Sequence, residues 1–385
     1  MRFTDNRNKI GKYIPAVVFL IFIYGMALWF IFSPKPDYSS SEKRYLQKFP
    51  EVTAEKLLSG DFGSEFETFF ADRFPQRNTW VGLNAYTALA VGNNGASGVY
   101  NCKNGYLINK PVSTENNLDK NIGAVADFAK SIDTPTTVML VPSTGYIVDD
   151  VLPTFHDKYN DDEDISKISS TLSKDKIGFV DLRERFKSEY KNGSQLYYKT
   201  DHHWTTKGAY TGYQELCKAL GITPIDDSTL KKDSYPDFYG TTYSSSGFWL
   251  TPPDNIEIWN NPKNSDRNIS VKITEGANIK TSGSMYFTDH LKEDDKYPVF
   301  IDGNHALTEI TNTNAKNGTI FLIKDSFSHS LAPFLAENYS KVVLVDLRYY
   351  KESVSDLVTT YNPEQVVVLY GIDNLATDTD IVWLK

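Results

Sequence analysis

Two short stretches concentrate residue types that move protons and attack carbonyl carbons. Lys199-Thr200-Asp201-His202-His203-Trp204-Thr205 stands immediately ahead of Thr206-Lys207-Gly208-Ala209-Tyr210, which reads as the start of a helix. In extended backbone, residues two apart point the same way, so Asp201 and His203 can share a face while His202 points elsewhere. A carboxylate so placed accepts the Nδ1 proton of the histidine, fixes its tautomer and stabilises its protonated form, as a general base in acyl transfer requires. The second stretch, Lys324-Asp325-Ser326-Phe327-Ser328-His329-Ser330, follows the apolar run 319–323 and leads into another helix. A serine at such a turn can expose its hydroxyl, and the first free N–H groups of the helix can donate to an oxyanion. Ser326 is the candidate nucleophile, set against the plainer reading of a helix N-cap. Ser328 and Ser330 are weaker candidates, and His329 is an alternative base that its helical position should pack or turn to solvent. Ser143, in the post-strand turn Pro142-Ser143-Thr144-Gly145, is a rival nucleophile.

Both stretches need a frame. Helical spacing of Leu118, Ile122, Val125 and Phe128, followed by an apolar strand at 136–141, begins an alternation of helix and strand. A helix at 165–172, a strand at 177–180, a helix at 183–190 and a strand at 195–198 continue it. From 225 to 317 the chain turns to short Ser/Thr/Asn/Tyr-rich strands, expected as a β-rich insertion. Strands at 319–323, 342–346 and 366–370, with helices at 330–337 and 352–360, then resume the rhythm. The expectation is an α/β fold, a parallel sheet flanked by helices, with its site beyond the carboxyl ends of the strands. Upstream, 51–90 reads as helical with a break at Phe74-Pro75.

Residues 13–34 are 22 consecutive uncharged positions, about 33 Å of helix and enough to cross a bilayer. Arg2, Arg7, Lys9 and Lys12 precede them against Asp5 alone, so the positive-inside rule leaves 1–12 in the cytoplasm and sends the rest outside the cell membrane. The expected organisation is a cytoplasmic tail 1–12, a single-pass signal-anchor 13–34, a stalk 35–50 and an extracytoplasmic catalytic domain 51–385. A cleaved signal peptide is the weaker reading, because no A-x-A-like site follows the apolar run. A net charge of −9 argues against nucleic acid as a partner. The chain has no zinc-spaced Cys/His cluster and no glycine-rich phosphate loop, so neither a metal nor a cofactor is expected. Cys102 and Cys217 are either a disulfide or two buried thiols.

Tyr-Tyr-Lys-Thr-Asp-His-His-Trp-Thr-Thr-Lys-Gly-Ala-Tyr at 197–210, with Phe-Ala-Asp-Arg-Phe-Pro-Gln-Arg at 70–77 and Ile-Lys-Asp-Ser-Phe at 323–327, resembles the DHHW family. The layout is similar to the alginate O-acetyltransferase-like branch of the SGNH hydrolase superfamily. In that branch the Asp-x-His pair precedes the serine, as it does here. The resemblance implies an SGNH-like sheet and a triad in which Asp201 orients, His203 is the base and Ser326 attacks. Lys324 stands where the G-D-S block usually has glycine. Gly303 and Asn304, in Phe-Ile-Asp-Gly-Asn-His at 300–305, are of the kinds that supply the superfamily's oxyanion donors, though Asp-Gly-Asn also makes a plain tight turn. Arg348 and Tyr370 follow strands and are acceptor-binding candidates. The activity implied is transfer of an acetyl group through an acetyl-serine to a hydroxyl of a cell-surface or secreted polysaccharide. A membrane-bound O-acyltransferase would supply the acetyl group. An acetyl esterase would use the same triad, and a tethered glycan-binding protein is the non-catalytic reading. Asp201-His202-His203 also spells the triplet of metal-dependent DHH phosphoesterases, for which Asp149, Asp150 and Asp181 are the further carboxylates to consider.

Overall fold

A computed structural model describes residues 3–112 and 117–384, the side chains of 3–12 and 383 excepted. Arg2 and the side chains of Arg7, Lys9 and Lys12, on which the expected orientation of the apolar helix rests, lie outside the described residues. Internal contacts divide the chain into two units, Met1–Tyr86 and Thr87–Lys385.

In the first unit, helix α1 (Phe3–Phe32) carries the apolar stretch Tyr13–Phe32, which is long and apolar enough to cross a membrane and buries none of it against protein. The helical reading of 51–90 resolves into three helices, Ala54–Ser59, Asp61–Asp72 and Arg77–Ala90. One break is the expected one at Phe74-Pro75. The other is at Gly60, whose φ of 87° ends the first helix in the left-handed conformation that glycine adopts without a Cβ clash. The segment expected as a stalk is tied down: the buried Arg73 guanidinium donates to the carbonyls of Lys35, Pro36 and Gln47, and Arg44 forms a fork with the Asp72 carboxylate.

In the second unit, eight strands form one sheet: β1 (Thr136–Val141), β2 (Gly178–Asp181), β3 (Ile269–Glu275), β4 (Asn278–Ser282), β5 (Leu307–Asn312), β6 (Asn317–Lys324), β7 (Tyr339–Val345) and β8 (Gln365–Gly371). Their order is β4-β3-β5-β7-β6-β8-β1-β2. The five strands from β7 to β2 are parallel, and β5, β3 and β4 continue the sheet antiparallel. The fold is therefore mixed α/β with a large central sheet. Ile320–Ile323, Val342–Val345 and Val366–Leu369 are continuous apolar runs because both faces are covered. Ile320 and Leu322 join one apolar cluster with Trp204 and Phe327, whereas Phe321 and Ile323 join a second with Leu118, Ile122 and Phe128.

Two expectations need correction. Within 225–317 only Lys231–Phe238 and Asp254–Asn260 form a ribbon of their own; β3, β4 and β5 widen the central sheet, since Ile269, Val271 and Ile273 alternate inward over its core. Residues 195–198 are not a strand but one arm of a narrow loop. Tyr198 N–H donates to His203 O, Thr205 N–H to Leu196 O, and the N–H groups of Lys199 and Thr200 go to the buried Asp254 carboxylate rather than to a sheet neighbour. Cys102 and Cys217 are separate buried thiols, each pushed up to about 12 by burial.

Candidate active site

The chain leaves β6 at Lys324 and enters helix α2 (Ser328–Asn338) through a turn that Asp325 organises. One Asp325 oxygen accepts from Phe327 N–H at 2.9 Å, and the other from Gly371 N–H at 2.7 Å and Asn374 Nδ2 at 2.8 Å. The turn is thereby fastened both to itself and to the end of β8. Ser326 does not cap the helix. Its Oγ lies 2.7 Å from His203 Nε2.

His203 is presented by the loop whose two arms pair at Tyr197 and Trp204. Its Nδ1 lies 2.5 Å from Asp201 Oδ1, which also accepts the His203 N–H at 2.8 Å. The other Asp201 oxygen accepts from the N–H of Thr241 at 2.7 Å and from its hydroxyl at 3.2 Å. Gly240 makes that approach possible, because a Cβ there would fall inside the Asp201 carboxylate. Burial alone would raise the Asp201 pKa, but the adjoining His203 and His202 and these hydrogen bonds outweigh it and hold the carboxyl well below its usual range. Since a carboxylate only accepts, Nδ1 carries the imidazole proton, and the Nε2 lone pair is left to accept from Ser326 Oγ–H. Asp201, His203 and Ser326 are all buried. Such a chain can take a proton from the hydroxyl as the oxygen attacks and return it to a leaving group.

Three neighbours that the sequence reading did not assign set the geometry. Trp204 Nε1 donates to Phe327 O at 3.0 Å and to Ser330 Oγ at 2.9 Å, locking the histidine loop to the serine turn. Tyr297 stacks on the imidazole of His203 with ring centroids 4.0 Å apart. Thr241, besides holding Asp201, lies 2.7 Å from His202 Nδ1, and burial together with His203 keeps His202 neutral by holding it down to about 4. Trp204 sits inside the 197–210 signature and was the legible one of the three; single residues as far away as 241 and 297 give no sequence signal.

Beneath the serine turn, Lys324 is fully buried and donates to Asp346 Oδ2 at 2.8 Å and His329 Nε2 at 2.9 Å. His329 thus neither faces solvent nor reaches Ser326, and burial holds it neutral. Asp346 also receives Arg348 through Nε at 2.8 Å and through a second nitrogen at 2.6 Å. Arg348 donates onward to Asn304 Oδ1 at 2.9 Å. Its guanidinium, on a side chain 38% exposed, is held in place by Asp346 and Asn304. Gly303 cannot offer its N–H to an oxyanion, since that group donates to Phe300 O at 3.1 Å. Asn304 is exposed and serves as the Arg348 acceptor. Tyr370 is buried in the apolar cluster on the opposite face from Trp204 and Phe327, so it presents nothing to a substrate.

Ser143, the rival nucleophile, donates to Asp373 Oδ1 at 3.1 Å, while its N–H donates to Asp161. No histidine bonds its hydroxyl among the described residues. Asp181 is taken by Arg183, and Asp150 by the Tyr190 hydroxyl, so neither joins Asp201 in a shared cluster. Asp149 stands beside Asp150 in a short 3-10 turn.

With the geometry in place, comparison with known proteins is informative. A DHHW family protein from Eubacterium siraeum superposes with a TM-score of 0.63 at 17% identity, over 75% of this chain and 95% of its own. Bacillus cereus PatB1 carrying a sulfonyl adduct gives 0.62 at 21% identity, over 74% and 97%, and a second structure of PatB1 gives 0.61 at 21%, over 73% and 98%. At these identities the likeness is one of fold. A comparison with curated protein sequences finds no match. The sequence model of the DHHW protein family, by contrast, matches residues 109–345, which span both the Asp-x-His loop and the serine turn. The chain belongs to the DHHW protein family.

Proposed function

We propose that the protein is a membrane-anchored serine O-acetyltransferase acting outside the cell, which moves an acetyl group through an acetyl-serine onto a hydroxyl of a cell-surface or secreted polysaccharide. The observation that carries this reading is the unbroken chain from Asp201 through His203 to Ser326, with links of 2.5 and 2.7 Å.

In the first half-reaction Ser326 Oγ attacks the carbonyl carbon of an acetyl ester and its proton passes to His203 Nε2. The bond from that carbon to the donor's oxygen breaks, and the imidazolium protonates the departing oxygen. In the second, a sugar hydroxyl gives its proton to His203 and attacks the acetyl carbon, and Ser326 leaves with the proton restored. Asp201, held ionised by its surroundings, stabilises the imidazolium in both. The Ser326 N–H has no acceptor among the described residues, so it is available to donate to the tetrahedral oxyanion. The apolar helix α1 supports an anchor, with residues 1–12 on the cytoplasmic side. The family resemblance supports a membrane-bound O-acyltransferase as acetyl donor and a polysaccharide as acceptor.

The test is intact-mass analysis of the full chain in detergent after brief exposure to p-nitrophenyl acetate, beside Ser326→Ala. An adduct of about 42 Da, the mass an acetyl group adds to a hydroxyl, should appear in the wild type and be absent from the variant. A phenylsulfonyl fluoride should modify the same serine. Clearance of the adduct by added oligosaccharide faster than by water supports transfer; clearance by water alone makes the protein an esterase. Absence of any adduct on the wild type defeats the serine reading and leaves a tethered glycan-binding protein.

A further inference from the structure

Beside the triad lies a narrow, partly open slot of about 50 Å³. Its walls include His202 and Phe327, the residues directly before His203 and directly after Ser326, together with Ile108, Tyr159, Thr242 and Gly371. The His202 ring lies 3.9 Å from that of His203, and the Phe327 ring 5.1 Å, so the slot begins one residue away from each of the reacting groups. Its size is held by fixed parts. The Tyr159 ring rests where a Cβ on Gly145 would stand, and its hydroxyl donates to Asn109 O at 2.6 Å; the Phe327 ring rests in the same way against Gly371.

We infer that this slot receives the acyl group carried by Ser326, and that Ile108, Tyr159 and Phe327 set the longest acyl chain accepted. The inference rests on the serine acyl-transfer reading and adds to it the residues that choose the donor. One water-sized site needs about 10–15 Å³, so the slot takes about four non-hydrogen atoms. An acetyl group has three and a propionyl group four, whereas a butyryl group has five. The bonds made and broken remain those of the first half-reaction: Ser326 Oγ joins the carbonyl carbon, the donor's oxygen leaves, and the proton travels through His203.

The experiment measures acyl-Ser326 formation on the full chain in detergent, by intact mass, with p-nitrophenyl acetate, propionate, butyrate and hexanoate. A chain too long for a packed pocket is disfavoured by about 10–200-fold per methylene, so the wild type should fall at least about 10-fold between acetate and butyrate. Ile108→Ala should raise the butyrate-to-acetate ratio by about 10-fold. Equal acylation by all four esters, or an Ile108→Ala ratio unmoved in a folded variant, overturns the slot while leaving the serine reading standing. Failure of every ester to modify Ser326 overturns the serine reading and the slot with it.

Discussion

Tyr297 lies flat against His203, its ring tilted only 10° from the imidazole plane, and its hydroxyl donates to the carbonyl of Ser326 at 3.2 Å. One side chain therefore holds both partners of the 2.7 Å contact, the imidazole of His203 by its face and the Ser326 backbone by its oxygen. Tyr297→Phe keeps the stack and loses one hydrogen bond, at a cost of about 1 kcal/mol, and should acylate within a few-fold of wild type. Tyr297→Ala frees the imidazole to tilt. A displacement on the order of 1 Å costs about 10²-fold, so acylation should slow by about that factor. Acylation rates and melting temperatures of the two variants separate positioning from bulk packing. Tyr297→Ala retaining the wild-type rate would remove the tyrosine from the account.

Asp201 fixes the tautomer of His203 through Oδ1 and is itself held by Thr241 through Oδ2. Asp201→Asn preserves shape, but its amide can donate to Nδ1 and favour the tautomer whose Nε2 is protonated. In serine triads that change costs about 10⁴-fold in turnover, and a comparable loss in Ser326 acylation is expected here. Gly240→Ala reaches the same end by another route, since its methyl displaces the carboxylate; overpacking of this kind also costs about 1–3 kcal/mol in stability. An active Gly240→Ala enzyme with Asp201 in place would contradict the packing described.

Legibility followed distance along the chain. Asp201 and His203 were readable because they lie two residues apart in extended backbone, and Ser326 because it follows an apolar strand at a turn into a helix. That the two loops meet depends on the order β7-β6-β8-β1 and on Trp204 reaching Phe327 and Ser330, and no local spacing encodes either. Gly303, Asn304, Arg348 and Tyr370 stand in turns and past strands. The structure bonds the Gly303 N–H to Phe300, links the exposed Arg348 to the exposed Asn304 and to Asp346, and buries Tyr370 in the core, because a position after a strand does not say which way a side chain points. Widening of the sheet by β3, β4 and β5 was hidden for a similar reason: alternating burial marks a strand but not its partner. Lys324 reads as a departure from a glycine motif, and only the fold supplies the Asp346 that makes a buried ammonium tolerable.

The Lys324–Asp346–Arg348 cluster yields an ordering of stabilities. Asp346 is the shared anion, held below the usual carboxylate range because Arg348 and Lys324 outweigh its burial. Lys324→Met leaves that anion paired with Arg348, and a loss of about 1.5–3 kcal/mol is expected, that of hydrogen bonds to a charged group. Asp346→Ala strands a fully buried ammonium, a change of the class that costs about 3–5 kcal/mol. Urea denaturation should therefore rank Asp346→Ala well below Lys324→Met. The opposite ranking would mean that the lysine, not the aspartate, organises the cluster.

Asp161 and Asp373 flank Ser143, accepting its N–H at 2.7 Å and its hydroxyl at 3.1 Å; Asp161 is buried and Asp373 half-buried. Burial raises Asp161 from 3.8 to about 7 and Asp373 to about 6. In the unfolded chain both carboxyls lose their protons near the ordinary value, while the folded protein retains them longer. Between pH 4 and 7 the folded state therefore binds more protons than the unfolded state, and stability falls as pH rises across that window, levelling off above it. Asp161→Asn keeps an oxygen to accept the Ser143 N–H and has nothing to ionise. At pH 8 the variant should exceed wild type by about 1–3 kcal/mol, and the gap should close towards pH 4. Denaturation midpoints at pH 4, 6 and 8 for both proteins measure it. A gap that is constant with pH would show that Asp161 is ionised in the folded protein throughout, held by Ser143 and its own helix N-terminus more strongly than burial opposes it.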